Sequence, residues 1–199
     1  MKIEIDVPDG VSGEWRVETF TVQKDEVGQS LARLKYGRGV PEGTYKRLKR
    51  GNVLVMSNTP DEIRDFSRFV GRASGQVLVN GLGLGVLLKA LLDKPVVDGV
   101  KVIEKSSDVI ALVAPTYRND PRVEIIHADC FEYMPPKGEM FEAVWHDIWD
   151  DICADNLPEM HKLHRKYGKR TLWQASWCRE SCERAASRER SEYAIRGRW

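Results

Sequence analysis

Residues 76–92 read QVLVNGLGLGVLLKALL, an apolar run broken by three alternate glycines, Gly81, Gly83 and Gly85, before it becomes apolar again. A strand that turns sharply into a helix has this pattern. Alternate glycines let the chain turn tightly at the end of a central strand and let another group approach the backbone. Packing of the protein on itself meets the same need, so the glycines alone leave two readings open: a ligand over the turn, or tight packing beneath it.

The stretches on either side settle the architecture. After QVLVN (76–80) and the helical GVLLKALLD (85–93) come a strand VDGVKVIE (97–104), a helix SSDVIALVAPTY (106–117) and a strand RVEIIHAD (122–129). A short helix near FEYMP (131–135), a strand FEAVWHDI (141–148), a helix over 154–167 and a strand KRTLWQASW (169–177) complete the series. Strands that alternate with helices, several of them apolar throughout, predict a parallel sheet covered on both faces. The arginine- and glutamate-rich tail after Cys178 predicts a further helix, solvated and laced with ion pairs.

Upstream, Ile3, Ile5 and Val7 and then Trp15, Val17, Phe20 and Val22 alternate as in strands, with the turn signal PDGVSG (8–13) between them. Residues 25–37 read as a short amphipathic helix. Residues 44–57 read as a hairpin turning at Arg50-Gly51-Asn52. Residues 58–70 begin with cap-type residues, a proline and two acids, and predict a helix. The expected division is an N-terminal β-hairpin and helix extension over 1–70 and a Rossmann-like domain over 71–199.

Composition narrows the function. The 199 residues are 42% hydrophobic and 31% charged, with a formal net charge of +1, which argues against a protein built mainly to grip a nucleic-acid backbone. No apolar run reaches the length of a membrane span, and the first ten residues do not form a secretory signal. Cys130, Cys153, Cys178 and Cys182 follow no disulfide framework, so a reduced, cytoplasmic setting is expected. His161, His164 and Cys153 lack the paired-cysteine spacing of a structural zinc site, and no metal is expected.

The chemistry gathers at the strand ends. Glu104 closes the second strand about twenty residues beyond the glycines, where a nucleotide-binding sheet sets a carboxylate against ribose hydroxyls. Asp129 closes the third strand and suits an adenine amino group. Asp147, Asp150 and Asp151 follow the fourth. The alternative for Glu104 is a solvated residue at the strand mouth, and for Asp150 and Asp151 an acidic N-cap cluster. Trp145, Trp149, Trp173 and Trp177 offer an aromatic wall for a planar or cationic substrate, or else core, with Trp149 the one expected to be partly exposed. In the basic run Tyr45–Arg50, Arg47 and Lys49 are candidates for guiding an anionic substrate.

On these residues, 76–177 resembles the class I S-adenosylmethionine-dependent methyltransferase fold, and within it the spermidine synthase branch. Val79 stands where aminopropyltransferases also carry an aliphatic residue, in strands like VLVVGGGDG. Glu104, the turn HADCFEY and Asp147-x-x-Asp150 match that branch's acidic positions, and LKRGNVLVMSNTPDEI is similar to its lead-in. Leu84 replaces the acid which that branch places in the glycine turn, no proline follows Asp150, and the usual terminal hairpin is absent. The resemblance implies a three-layer α/β/α fold, shortened at its C-terminus, that binds S-adenosylmethionine. Gly81, Gly83 and Gly85 would lie against the methionine part, Glu104 would hold the ribose and Asp129 the adenine. Asp147 is the first candidate base, followed by Asp150 and His146. Methyl transfer to an unidentified small or macromolecular acceptor is the leading expectation. Aminopropyl transfer and a non-catalytic nucleoside-binding module are the alternatives. A shortened sheet edge favours a homodimer.

Overall fold

The structure is a computed structural model, described here for residues 3–24 and 39–196. The helix expected over 25–37 lies outside the described residues. Two sheets organise the chain. The first is antiparallel, with β1 (Gly10–Ser12), β2 (Trp15–Val22), β3 (Gly43–Arg50) and β4 (Val53–Ser57) in sequence order. The second is wholly parallel, with β5 (Gly75–Asn80), β6 (Val97–Glu104), β7 (Val123–His127), β8 (Phe141–His146) and β9 (Thr171–Ser176) in the order β7-β6-β5-β8-β9. The helices are α1 (Pro60–Arg72), α2 (Val86–Leu92), α3 (Ser107–Tyr117), α4 (Asn156–Tyr167) and α5 (Arg179–Arg196).

Alternation along the parallel strands sorts their side chains onto two faces. Val77, Val79, Val100, Val102, Ala143 and Trp145 join one apolar cluster with Ile63, Phe66 and Phe69 of α1 and with α2 and α3. Leu78, Ile103 and Val144 face the other way, onto Leu163 and Tyr167 of α4. Burial on both faces is why these strands read as nearly continuous apolar runs, and it produces the α/β/α layering of a Rossmann-like fold. The first cluster extends into the antiparallel sheet through Val17 and Leu48, together with Ile3, Ile5 and Val7. That sheet therefore shares a core with the parallel one.

The order of the parallel strands fixes where a ligand can sit. β5 lies at the centre, with β6 and β7 added to one side and β8 and β9 to the other. The chain reverses its direction of growth between β5 and β8, and the crevice at the carboxyl ends of those strands is the ligand position of open α/β sheets. After β9 the chain forms α5 instead of a further hairpin.

Local signals account for most boundaries. The β3–β4 hairpin pairs Arg50 with Val53 across Gly51-Asn52, as the turn residues require. Pro60 opens α1 with Asp61 and Glu62 in its first turn, and the Glu62 carboxylate accepts the Ser57 amide and hydroxyl. At the other end of α1, Lys94 donates to the carbonyls of Val70, Gly71 and Ala73, so a lysine from a distant loop caps the helix.

Two expectations are corrected. Residues 3–9 do not pair in a ladder, and β1 falls inside the stretch expected to turn. Side chains replace the ladder: Asp9 accepts the Thr19 amide at 2.9 Å and the Lys46 ammonium at 2.7 Å, and Asn58 donates to the Ile3 carbonyl. The segment is buried like a strand without being one, and alternation reports burial, not pairing. The helix expected near residues 131–135 is a turn. Asp129 accepts the Phe131 amide on its side chain and the Glu132 and Tyr133 amides on its carbonyl. Pro135 and Pro136 then prevent the turn from propagating.

Candidate functional site

A cleft of about 630 Å³ opens over the carboxyl ends of β5, β6, β7 and β8, within the range of small-molecule and cofactor sites. Its floor carries Gly81 and Gly83, its far wall Glu104, Asp129 and Phe131, and its near wall Asp147, Trp149 and Asp150. The roof comes from the antiparallel sheet and its turns: Glu14, Trp15, Leu48, Arg50, Val55 and Met56.

The glycine turn is held from within. The Gly81 amide donates to the Ile103 carbonyl, and the Leu82 amide to the Glu104 carboxylate at 2.8 Å. The other Glu104 oxygen accepts the Ser106 amide at 2.7 Å. Ser106 in turn caps α3 by accepting the Val109 amide. One carboxylate therefore joins the turn after β5 to the start of α3, and each oxygen keeps a lone pair directed elsewhere.

What lies so close to the glycines is, in each case, the protein itself. A Cβ on Gly81 would fall 1.9 Å from the Asp147 carbonyl oxygen, one on Gly83 2.7 Å from the Met56 sulfur, and one on Gly85 2.6 Å from the Tyr117 ring. Gly81 also has φ +99°, which a side chain would strain. Gly85 is not among the residues that line the cleft; its carbonyl accepts the Tyr117 hydroxyl at 2.9 Å. The turn is thus built for packing, and Gly81 and Gly83 border the cleft as well.

The acids differ in state. Asp129 pairs with Lys105 at 2.8 Å, and this cation holds its carboxyl below the usual range. Asp147 sits at the end of β8, next to β5, with its amide donating to the Asn80 carbonyl. It keeps some access to the cleft, yet burial pushes its carboxyl up to about 7. The Trp145 indole, donating at 3.3 Å, opposes that shift, and Glu62 and Asp65 of α1 add to it. Asp150 pairs with Arg50 across the mouth of the cleft, and the Arg50 guanidinium lies 5.4 Å over the Trp15 ring.

His146 does not reach the cleft. Its ring is fully buried, with Nδ1 accepting from Asn80 at 2.7 Å and Nε2 donating to Gln174 at 3.0 Å. Burial pushes it down to about 3, so it stays neutral. Of Trp145, Trp149, Trp173 and Trp177, Trp149 lines the cleft; Trp145 is buried against Phe69, and Trp173 lies between Phe69 and Arg72. Arg47 pairs with Glu18, and Arg50 is the basic residue of that run that lines the cleft. His161 and His164 meet Arg179, and among the described residues no group of three or more His, Cys, Asp or Glu side chains is placed to hold a metal.

Sequence reasoning missed the roof. Trp15 carries no motif and Met56 lies unmarked within the lead-in stretch 48–63; the positions of both at the cleft follow from how the two sheets dock.

No family model matches the chain, and no curated protein matches its sequence. Solved structures match it in fold. The 23S rRNA methyltransferase ErmE aligns at 19% identity over 57% of this chain and 44% of its own, with a TM-score of 0.46. Spermidine synthase from Thermotoga maritima aligns at 19% identity over 69% of this chain and 46% of its own, with a TM-score of 0.43. A dimethyladenosine transferase from Plasmodium falciparum aligns at 24% identity over 54% of this chain and 37% of its own, with a TM-score of 0.41. The chain spans less than half the length of each. Strand order and the crevice define a Rossmann-like α/β domain, and the likeness to these methyltransferases and to spermidine synthase is one of fold.

Proposed function

We propose that this chain is an S-adenosylmethionine-dependent transferase, and that it moves a methyl group to an acceptor still to be identified. One observation carries the reading: Gly81 and Gly83, Glu104, Asp129 and Asp147, from the ends of four neighbouring parallel strands, line a single cleft of about 630 Å³. That volume suits a nucleoside with an amino-acid tail. Glu104, already anchored by two backbone amides, is poised to accept from ribose hydroxyls. Asp129 stands one strand further, in reach of a base.

When bound, the sulfonium supplies an electrophilic methyl group. The residues of the chain supply the rest. The roof, with Trp15, excludes water and holds the acceptor in line. Asp147, pushed up to about 7, takes the proton that an attacking amine or hydroxyl gives up. Asp150, engaged with Arg50 at the mouth, orders the entrance instead of touching the reacting atoms.

Asp147 borders the cleft, which favours a catalytic site over an inert binding module. Aminopropyl transfer remains the second reading. The acids Asp147, Asp150 and Glu159 around the acceptor half favour it, and Leu84, whose side chain is wholly buried where an amine-binding acid would stand, opposes it. Calorimetric titration with S-adenosylmethionine and its decarboxylated form separates the two. Tighter binding of the intact compound supports methyl transfer, tighter binding of the decarboxylated one supports aminopropyl transfer, and binding of neither rejects both.

A further inference from the structure

The strand that carries Met56 is irregular where it passes over the cleft. β3 and β4 pair Leu48 with Met56 but Lys49 with Leu54, so Val55 is an extra residue in a bulge. Neighbouring residues of a regular strand point to opposite faces. Here Val55 and Met56 both line the cleft, as a bulge that re-aims a side chain allows.

The re-aimed thioether ends on the glycine turn. Met56 Sδ accepts the Leu84 amide at 3.2 Å and fills the space that a side chain on Gly83 would need. Sulfur is a weak acceptor, whereas the amide it covers is a full-strength donor, one residue beyond the cleft-lining Gly83. A carboxylate oxygen at that amide makes a charge-assisted bond about twice as strong as a neutral one. A methionine side chain, unbranched and flexible, can vacate the position by rotation about its own bonds.

We infer that Met56 is a specificity-determining residue: its sulfur occupies the hydrogen-bond position at the Leu84 amide, and a ligand's carboxylate displaces it on binding. This rests on the assignment of an S-adenosyl ligand. Ligands with a carboxylate tail gain the Leu84 bond and open the plug. Ligands that end in an uncharged alkyl group leave Met56 in place.

The test uses two probes, S-adenosylhomocysteine, which has the carboxylate, and 5′-deoxy-5′-methylthioadenosine, which lacks it. In the unsubstituted protein labelled with ¹³C-methyl methionine, the Met56 methyl resonance, assigned with Met56→Leu, moves on saturation with the first probe and stays with the second. In Met56→Ala, affinity for S-adenosylhomocysteine rises about three- to ten-fold, the scale of one hydrogen bond no longer in competition, while affinity for methylthioadenosine changes by less than about two-fold. A Met56 resonance that moves equally with both probes, or an equal gain or a loss for both in Met56→Ala, overturns the inference and leaves the S-adenosyl assignment standing. Binding of neither probe by the unsubstituted protein overturns the assignment and this inference with it.

Discussion

Gly81 and Asp147 are packed backbone to side-chain position: the Asp147 carbonyl oxygen lies where the Cβ of any other residue at 81 would be, 1.9 Å from it. The glycine that starts the turn and the acid that follows β8 are therefore set by one contact between adjacent strands, β5 and β8.

Replacing Gly81 with alanine should cost stability as well as binding. The φ of +99° and the overlap with backbone, which cannot rotate away, together amount to at least about 3 kcal/mol. Urea unfolding monitored by tryptophan fluorescence checks this, and a loss below about 1 kcal/mol would mean that the turn relaxes freely.

Glu104→Ala should weaken S-adenosylhomocysteine binding by ten-fold or more, since charge-assisted hydrogen bonds contribute roughly 1.5–3 kcal/mol. Glu104→Gln keeps one carbonyl acceptor for either Leu82 or Ser106 and should fall between alanine and the parent. Titration calorimetry measures both. Parent-like affinity in the alanine variant removes Glu104 from the site.

Asp147 gives a pH signature with opposite signs for stability and activity. Its folded-state value is raised to about 7 from 3.8. The folded protein therefore holds a proton that the unfolded chain releases, and the stabilisation is complete at acid pH and declines as pH rises from about 4 to about 7. Asp147→Asn should flatten that decline and be more stable above pH 7 by on the order of 2–4 kcal/mol. As a base Asp147 acts when ionised, so turnover in the parent should rise through about pH 7, and the asparagine variant should lose it. Identical stability profiles for the two proteins would show that the carboxyl is not desolvated.

Arg50→Ala removes the pairing with Asp150 and the stacking on Trp15. Both partners of the ion pair are partly exposed, so stability should change by less than about 1 kcal/mol. Ligand dissociation, followed by stopped-flow fluorescence of the nearby tryptophans, should accelerate several-fold because the roof loses its fastening at the mouth. An unchanged dissociation rate would mean that the roof is held by the shared core alone.

Much of this was legible in the sequence because it is governed by local rules. Apolar strands alternating with helices, from Gln76 to Trp177, specify a parallel sheet buried on both faces, since period and apolarity are read along the chain. The acids Glu104, Asp129 and Asp147 at the strand ends are equally local, because the end of an apolar run marks the mouth of the sheet. Other features depend on residues far apart in the chain. Alternation placed Ile3, Ile5 and Val7 inside but could not say that Asp9 and Asn58 would take over their hydrogen bonding. The glycines announced a close approach, and only the fold named the neighbours: the Asp147 carbonyl, Met56 and Tyr117. Trp15, Arg50 and Met56 entered the site because two sheets share one apolar core and a bulge turns β4 over the cleft. Periodicity along a strand carries no information on how its sheet docks against another, so packing of the shared core decided the roof.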